Sequence, residues 1–385
     1  MLFANSEFYI PAVNLFGPGK ASEVGGRLRD LGCKKTLIVT DEVLHKLGIS
    51  EQIAASIREA GLDVEFFPKA QPNPTDLNVA EGLKVITDTG CDSIVSLGGG
   101  SSHDAAKGIA LVASNGGTIH DYEGVDRSAK PMLPLIAVNT TAGTASEMTR
   151  FCIITDTSRK VKMAIVDKHV TPTLSVNDSQ LMMGMPPSLT AATGMDALTH
   201  AVEAYVSTAA TPITDACALE AISLVATYLP KAYVDGQDMD ARNHMMYAQF
   251  LAGMAFNNAS LGYVHAIAHQ FGGFYDLPHG VCNAILLPHV SKFNLIAKTE
   301  RFAKIAEVLG ENVEGLSTRE AAELAIEAIE RMSIDLGIPA GFAQLGAKEE
   351  DIPLLAEHAL QDACSLTNPR RGRVQDVIEI IKGAM

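Results

Sequence analysis

The hydrophobic pattern of the chain changes near Met185-Pro186-Pro187, and this change limits the folds that the chain can adopt. Before it, short runs rich in β-branched residues alternate with segments whose apolar residues recur at helical spacing, which is typical of a parallel α/β sheet. After it, those runs nearly vanish, and segments rich in Ala, Leu and Met keep a helical period to the C-terminus. We therefore predict an α/β domain over residues 1–185 and an all-helical domain over residues 186–385.

Individual elements can be predicted within this frame. The clearest strands are Thr36–Thr40, Asp63–Phe67, Ser93–Leu97 and Leu135–Val138. Amphipathic segments between them predict helices over Ala21–Leu31, Ile49–Ala60 and Asn78–Thr89. In the second domain, Ser317 and Glu320 form a capping box, and Gly337 ends the helix that follows.

Charge, cysteine content and the N-terminus indicate the compartment and exclude some partners. The net charge of −15 would repel a nucleic-acid backbone. The six cysteines are scattered and form no CxxC pair, which favours a reducing compartment. The N-terminal stretch has no basic region and is interrupted by Asn5, Ser6 and Glu7, unlike a signal peptide. No apolar run approaches the roughly 18 residues of a membrane span. We expect a cytoplasmic protein that binds neither nucleic acid nor membranes.

Two polar loops follow predicted strands and are candidates for cofactor binding. Gly98-Gly99-Gly100-Ser101 leads into a helical pattern, where glycines and free amide groups can accommodate a pyrophosphate. The run Asn139–Ser146 offers hydroxyl groups to a phosphate or ribose. Asp41 follows a strand, where a carboxylate can bind a ribose hydroxyl and disfavour NADP. Each feature also has an alternative interpretation without a ligand. The first loop could be a plain glycine turn, the second could be a threonine-rich strand end that binds nothing, and Asp41 could only cap the following helix.

The helical half contains a concentration of potential metal ligands. Asp196 and His200 are four residues apart, so they share one face of a helix. Four of the eleven histidines lie between residues 265 and 289: His265, His269, His279 and His289. A lone histidine is usually structural, but this clustering beside an Asp/His pair predicts a metal site.

Spacing alone leaves open which of these histidines bind the metal. It also leaves open the metal itself, because Zn(II) outbinds Fe(II) at most nitrogen and oxygen sites and availability decides occupancy. Glu203 lies on the same helical face as Asp196 and His200. We interpret Glu203 as the partner of an ion pair or of a hydrogen bond to a metal ligand, in preference to a metal ligand itself.

Four motifs carry a resemblance to a known family along essentially the whole chain. They are GGGS at 98–101, NTTAGTASEMT at 139–149, GMDALTHAVEAY at 194–205 and GYVHAIAHQFGGFYDLPHG at 262–280. On these motifs the chain resembles the iron-activated (group III) alcohol dehydrogenases, and it looks most like their short bacterial ethanol and propanediol dehydrogenases.

The resemblance implies a Rossmann-like NAD-binding domain, a helical domain and an active site in the cleft between them. It implies Fe(II) or Zn(II) bound by Asp196, His200, His265 and His279, with His269 beside the substrate. It implies that the cofactor is lined by Asp41, Asn73, Gly99, Gly100, Ser101, Thr140, Thr141, Thr144, Lys162 and Leu181. By the same analogy the substrate pocket would be lined by Phe151, Phe256 and Cys364, and the chain would form a homodimer or a larger homo-oligomer.

The chain departs from the family pattern at two positions. Ser102 stands where the family usually has proline at the start of the phosphate-binding helix, and Ser179 replaces the proline of an Asn-Asp-Pro sequence. Proline at a first helical position only preorganises the backbone. We therefore expect slightly weaker cofactor binding and unchanged activity.

The implied reaction is the NAD(H)-dependent interconversion of a small primary alcohol and its aldehyde, with ethanol and acetaldehyde favoured. The alternative substrates on the same site are propanediol and lactaldehyde. Our hypothesis for His269 is proton transfer to solvent, and a residue that only orients the pocket is the alternative.

Two rival functions fit the sequence less well. A dehydroquinate-synthase-like lyase needs basic residues for a phosphorylated, carboxylated substrate. The stretch around the proposed ligands is instead apolar and aromatic, and it includes Phe256, Phe271, Phe274 and Tyr275. A metal-storing or metal-sensing protein would have no use for the cofactor loops.

Overall fold

A computed structural model describes residues 6–385 of the chain. Our prediction that the N-terminal stretch is not a signal peptide falls partly on residues 1–5, which lie outside the described residues. The strands of the described part are β1 (Val13–Phe16), β2 (Lys35–Val39), β3 (Asp63–Phe67), β4 (Ser93–Gly98), β5 (Gly124–Val125), β6 (Leu135–Asn139), β7 (Phe151–Asp156), β8 (Val161–Val166) and β9 (Leu174–Asn177).

Helices pack on the faces of the sheet, and most residues beyond 178 are helical. They are α1 (Val24–Asp30), α2 (Glu42–Lys46), α3 (Ile49–Glu59), α4 (Asp76–Thr89), α5 (Gly100–Asn115), α6 (Ser179–Met182), α7 (Pro187–Val206), α8 (Pro212–Val234), α9 (Met239–Ala259), α10 (Tyr263–Tyr275), α11 (His279–Asn294), α12 (Thr299–Val308), α13 (Thr318–Asp335), α14 (Ile352–Gln361) and α15 (Val374–Gly383). The predicted fold class, an α/β domain followed by a helical domain, is confirmed.

The main sheet has six parallel strands in the order β1-β9-β6-β4-β2-β3. Strands β4 and β6 are buried along their whole length, which explains their nearly continuous apolar sequences. From β2 the chain proceeds outward to β3, and from β4 it proceeds in the opposite direction to β6 and β9. The carboxyl ends of β2 and β4 therefore flank the topological switch point, where parallel α/β sheets bind their ligands.

The predicted strands agree with β2, β3, β4 and β6 to within one residue at each end. The other five strands were not predicted, and three of them form a second sheet in the order β5-β8-β7. The predicted helix over Ala21–Leu31 divides into a 3₁₀ turn at Lys20–Glu23 and a shorter α1. Gly25 and Gly26 lower the helix propensity of this segment.

The helices beyond residue 178 pack around a nearly fully buried α7. Helices α8, α9 and α11 pack against α7, and α10 packs against α11 and α14. Gly194 permits the contact between α7 and α8, because a Cβ there would lie 2.2 Å from Leu229 Cδ1. The predicted capping box of α13 is present: Ser317 Oγ accepts from the amide of Glu320, whose carboxylate accepts from the amide of Ser317.

The chain divides into two compact units. The first consists of the described part of Met1–Asn139 with Ser146–Ile154 and Met163–Asn177, and the second consists of Thr140–Ala145, Thr155–Lys162 and Asp178–Met385. The predicted boundary between residues 185 and 186 stays a prediction, as does the cleft that the family resemblance implies.

One helix of the described part, α8, is long and apolar enough to cross a membrane, with a mean hydropathy of 1.2 over its most apolar window. This helix was not anticipated from the sequence, because only uninterrupted apolar runs of about 18 residues were considered. The helix nevertheless carries Asp215, Glu220 and Lys231 and packs against α7 and α9. Because core helices of soluble proteins pass the same test, it is weak support for a membrane span.

Candidate metal centre and active site

Asp196 and His200 lie one turn apart on α7 and face the same side of it. Pro186 and Pro187 mark the start of this helix, which then runs without a break to Val206. Both side chains are almost inaccessible to water, at 2% and 4% exposure. Asp196 Oδ1 lies 3.9 Å from His200 Nε2. The i, i+4 spacing in the sequence therefore places a carboxylate and an imidazole together in the interior of the helical unit.

Helices α10 and α11 bring two more histidines to Asp196. His265 lies in the first turn of α10 and His279 is the first residue of α11. Their Nε2 atoms lie 3.8 and 3.7 Å from Asp196 Oδ1. Gly280 permits this arrangement, because a Cβ there would lie 2.4 Å from the carbonyl oxygen of Ala192 on α7. The four ligand atoms all lie within 4.8 Å of one another.

This cluster fits a divalent metal ion. Metal–ligand bonds of roughly 2.1 Å at tetrahedral angles place neighbouring ligand atoms about 3.4 Å apart, and the separations from Asp196 Oδ1 are 3.7–3.9 Å. Burial lowers the pKa of His200, His265 and His279, so the imidazoles are neutral, as metal binding requires. One carboxylate and three neutral nitrogens suit Fe(II) or Zn(II).

Glu203 orients one of these histidines. Its Oε2 lies at hydrogen-bond distance, 2.6 Å, from His265 Nδ1, and its Oε1 accepts a hydrogen bond of 2.7 Å from the amide of Val264. The carboxyl group thus also caps the N-terminus of α10. Burial raises the pKa of Glu203 to about 8. When Glu203 is ionised it can only accept, so the proton of His265 lies on Nδ1 and Nε2 is directed at Asp196 with its lone pair available.

His269 lies outside the cluster, one turn beyond His265 on α10. Its ring stacks on that of His279 with centroids 5.5 Å apart. His269 Nδ1 is 2.8 Å from Asp362 Oδ2, and Asp362 Oδ1 accepts from the amide of Cys364 at 2.9 Å. Burial alone would raise the pKa of Asp362, but the charge of His269 and these hydrogen bonds hold that pKa below its usual value. The carboxylate therefore fixes the ring orientation of His269.

His289, the remaining candidate from the sequence, lies elsewhere on α11. It lines a separate cavity of about 340 Å³ with Lys292, Phe293 and Arg370. The separation follows from helical geometry, since His289 is ten residues beyond His279 and thus almost three turns away along the axis.

The predicted cofactor residues of the first unit lie at the carboxyl edge of the main sheet. Asp41 follows β2, Asn73 lies between β3 and α4, and Gly99 follows β4. Gly99, Gly100 and Ser101 form the start of α5, whose N-cap residue Gly99 has no side chain to cap the free amide groups. This is the arrangement that binds a pyrophosphate in other parallel α/β folds. Asp41 Oδ1 accepts from the amide of Leu44, so the helix cap is present, and a ribose contact stays a prediction.

The predicted cofactor residues of the second unit are Thr140, Thr141, Thr144, Lys162 and Leu181. Thr140 and Thr141 directly follow β6, and Gly143 brings this loop against α7, since a Cβ there would lie 2.7 Å from Thr193 Cβ. Lys162 lies beside α10, with Nζ 3.1 Å from the position of a Cβ on Gly272. The cofactor roles of these residues stay predictions.

The two departures from the family pattern occupy different helical positions. Ser179 is the first residue of α6, and its hydroxyl donates to Asn243 Oδ1 at 2.5 Å. Ser102 is the third residue of α5 and not the first, and it packs under Gly98, where a Cβ would lie 2.4 Å from Ser102 Oγ. Gly98 has a φ of +146°, which other residues rarely adopt.

Comparison with known proteins identifies the family. Residues 11–179 match the model of iron-containing alcohol dehydrogenases, and residues 190–385 match that of the C-terminal part of the Fe-containing alcohol dehydrogenase family. The chain belongs to the iron-containing alcohol dehydrogenases. It is therefore an oxidoreductase that acts on alcohols and aldehydes.

Relatives of this alcohol dehydrogenase differ in the alcohol that they are named for. The NAD-dependent methanol dehydrogenase of Bacillus methanolicus is 57% identical over 99% of this chain and all of its own length. The 1,3-propanediol dehydrogenase of Citrobacter freundii is 53% identical over the full length of both chains. A crystal structure of a 1,3-propanediol oxidoreductase is also 53% identical, with a TM-score of 0.98 over 99% of this chain and all of its own.

The four aromatic residues of the stretch around the proposed ligands of this alcohol dehydrogenase have different surroundings. Phe256 stacks on His200 with ring centroids 4.2 Å apart. In contrast, Phe271 is fully buried against Phe342, Phe274 is 51% exposed, and the Tyr275 hydroxyl bonds to Asp351. Phe256 therefore supports an apolar lining beside His200, and an apolar substrate pocket stays a prediction.

The remaining predicted pocket residues have distinct surroundings. Cys364 is buried beside His269 and Asp362, and burial raises the pKa of its thiol well above the usual value. Phe151 is half-buried in β7, and its carbonyl oxygen accepts from Lys107 Nζ at 2.7 Å. Substrate contacts of all three pocket residues stay predictions.

Two residues of the site, Asp362 and Asn283, were not predicted from the sequence. Asp362 lies 93 residues beyond its partner His269, and Asn283 contacts three of the four ligand atoms. The spacing of Asn283, one turn after His279, was the available signal in the second case. No local pattern identifies Asp362.

Proposed function

We propose that the chain is a metal-dependent NAD(H) alcohol dehydrogenase that interconverts a small primary alcohol, preferentially ethanol, with its aldehyde. The observation that carries this proposal is the group of four ligand atoms within 4.8 Å of one another. In the proposal, Asp196, His200, His265 and His279 hold Fe(II) or Zn(II). When bound, such an ion acts as a Lewis acid that lowers the pKa of an alcohol and polarises an aldehyde carbonyl.

The residues around the ligands prepare them for this role. Glu203 keeps the proton of His265 on Nδ1, so Nε2 remains a donor to the metal. Burial keeps all three histidines neutral. His279 is 28% exposed, whereas Asp196 and His265 are at 2% and 1%. The centre is therefore accessible to a substrate from the side of His279.

The cofactor in the proposal is NAD, which accepts or donates the hydride at C4 of its nicotinamide ring. The start of α5 at Gly99–Ser101 supplies backbone amide groups and the positive end of the helix dipole to the pyrophosphate. The carboxylate of Asp41 accepts from a ribose hydroxyl and repels the additional phosphate of NADP. The other lining residues in the proposal are Asn73, Thr140, Thr141, Thr144, Lys162 and Leu181.

His269 passes the proton between the alcohol and solvent in this proposal. The hydrogen bond from its Nδ1 to Asp362 leaves Nε2 as the atom that accepts or releases a proton. Its 12% exposure keeps it connected with water. Asp362 stabilises the positive charge on the ring while the proton is held, as a carboxylate does for a catalytic histidine.

Phe256 and Cys364 favour a small, uncharged substrate in this proposal. Both are almost fully buried, at 4% and 7% exposure, and Phe256 stacks on His200. A propanediol is the second candidate, because a 1,3-propanediol dehydrogenase is 53% identical over the full chain. A few side chains worth about 1–3 kcal/mol each would separate these substrates. We also expect a cytoplasmic homodimer or larger homo-oligomer.

Metal removal and reconstitution tests the proposal. The protein is treated with a chelator, reloaded anaerobically with Fe(II) or Zn(II), and assayed for NADH formation with methanol, ethanol and 1,3-propanediol. We expect no activity without metal and the highest kcat/KM with ethanol. A metal-loaded protein that forms no net NADH with any alcohol would overturn the proposal, and hydride transfer without net NADH would favour a lyase.

A further inference from the structure

Asn283 contacts the proposed metal ligands directly. It lies on α11 one turn after His279 and is fully buried. Its Nδ2 lies 2.6 Å from Asp196 Oδ1, 3.0 Å from His265 Nε2 and 3.1 Å from His279 Nε2. A primary amide has two hydrogens to donate, so they are shared among three acceptors. One side chain thus holds three of the four ligand atoms in place.

The hydrogen bonds of Asn283 also select the tautomer of the two histidines. Because an amide nitrogen only donates, His265 and His279 accept through Nε2 and carry their protons on Nδ1. For His265, the Nδ1 proton is donated to Glu203. This is the tautomer in which Nε2 can bind a metal. Asn283 therefore fixes the positions of Asp196, His265 and His279, and it also fixes the tautomers of the two histidines.

The amide oxygen of Asn283 has a different environment. Oδ1 is buried and has no hydrogen-bond partner among the described residues, although buried carbonyl oxygens are normally paired. A half-turn about the terminal torsion of the side chain exchanges Oδ1 with Nδ2. Carbonyl oxygens bind divalent cations, whereas an amide NH₂ group presents positive hydrogens that a cation repels. The oxygen is thus the atom that suits a cation at this position.

We propose that Asn283 is a fifth member of the metal centre: in the metal-free chain Nδ2 aligns Asp196, His265 and His279, and when a divalent cation binds, a half-turn of the amide brings Oδ1 to the cation in place of Nδ2. The proposal rests on the metal site of the proposed function. A fifth, oxygen donor suits Fe(II) better than Zn(II), which is most often four-coordinate in proteins. Asn283 therefore contributes to metal selectivity as well as to affinity.

Metal titrations of two variants test the proposal. Asn283→Leu has a similar size but neither donor nor oxygen, and Asn283→Asp keeps oxygens while losing the NH₂ group. Metal-free proteins are titrated with Fe(II) under argon, or with Zn(II), in competition with a chromophoric chelator. We expect Asn283→Leu to weaken Fe(II) binding by roughly tenfold or more and Zn(II) binding by less. Asn283→Asp should bind both ions at least as tightly as the unmodified chain.

Control measurements keep the outcomes distinct. Asn312→Leu makes the same chemical change at an exposed loop position and should leave both affinities unchanged, and circular dichroism checks the folding of every variant. If folded Asn283→Leu binds both ions within about twofold of the unmodified chain, the proposal is wrong. If Asn283→Leu does not fold, weaker binding by Asn283→Asp overturns it. If the unmodified chain binds no divalent ion, the proposed metal site itself fails, and this inference fails with it.

Discussion

The two units present their candidate sites in different chemical forms. In the first unit, the switch point between β2 and β4 offers mainly backbone groups and small residues at Gly99–Ser101. In the second unit, the site consists of side chains from three packed helices, with Asp196, His265 and His279 around one point. A backbone site depends on the local conformation of one loop, whereas a side-chain site depends on the packing of distant segments. The two sites should therefore respond differently to substitution.

The largest expected effect is the loss of a ligand in the second unit. His265→Ala should lower kcat by roughly three orders of magnitude, because Lewis-acid stabilisation is worth several kcal/mol, and should lower the bound metal per chain. NADH binding, measured by fluorescence, should stay within about twofold. His289→Ala is the matched control, since His289 lies on α11 outside the cluster. If His265→Ala lost NADH binding to the same extent as it lost bound metal, the two sites would not be independent.

The next largest effect concerns His269 in the same unit. Asp362→Asn replaces an acceptor by a donor, so His269 would carry its proton on Nε2. We expect kcat to fall by about 10- to 100-fold with little change in KM, because orienting partners of this kind have effects of that size. Steady-state kinetics check this, with Asp351→Asn, the same change at the carboxylate that accepts from Tyr275, as the control. An unchanged kcat would exclude the orienting role of Asp362.

A lone buried histidine in the first unit provides a comparison with the clustered ones. Burial lowers the pKa of His103 to about 3, below its ordinary value of 6.5. Between pH 6.5 and pH 3 the unfolded chain therefore binds one proton more than the folded chain at this histidine. The contribution of the neutral His103 to the free energy of unfolding is complete above pH 6.5 and is lost as the pH falls toward 3. The loss is about 1.4 kcal/mol per pH unit, hence about 2 kcal/mol at pH 5.

His103→Gln should remove this part of the pH dependence, because glutamine keeps a polar partner for Ser96 Oγ without titrating. Urea unfolding at pH 7.5 and pH 5 measures the difference. His358→Gln, at an exposed position, should leave the pH dependence as it is. If His103→Gln loses as much stability on acidification as the unmodified chain, His103 does not contribute as described.

The smallest expected effect is on cofactor choice in the first unit. Asp41→Asn removes the charge but keeps a good cap for α2, so use of NADP should rise about tenfold relative to NAD without loss of stability. Asp41→Ala should give the same change in cofactor use and lower the free energy of unfolding by about 1 kcal/mol. Comparison of kcat/KM for the two cofactors checks both variants. An unchanged ratio in both would limit Asp41 to its capping role.

Local patterns in the sequence were sufficient for the buried strands and for the capped helices. Strands β2, β4 and β6 are largely apolar because both faces of a parallel sheet are covered, and β3 at the sheet edge was predicted from its shorter run of apolar residues. The short β9 and the hairpin strands β7 and β8 were not predicted, because polar residues interrupt them. The strands that pair with β9, which are β1 and β6, are also distant from it in the chain. Helical periodicity also placed Asp196 and His200 on one face correctly.

The sequence by itself determined the two structural halves, the helical Asp/His pair and the glycine loop, since each depends on residues within a few positions of one another. Only the tertiary structure decided that His279 joins Asp196 while His289 does not, that Asp362 holds His269, and that Asn283 contacts three ligand atoms. Those contacts depend on how α7, α10 and α11 pack. Packing is set by the shapes of side chains across the whole unit, including the missing side chain of Gly280.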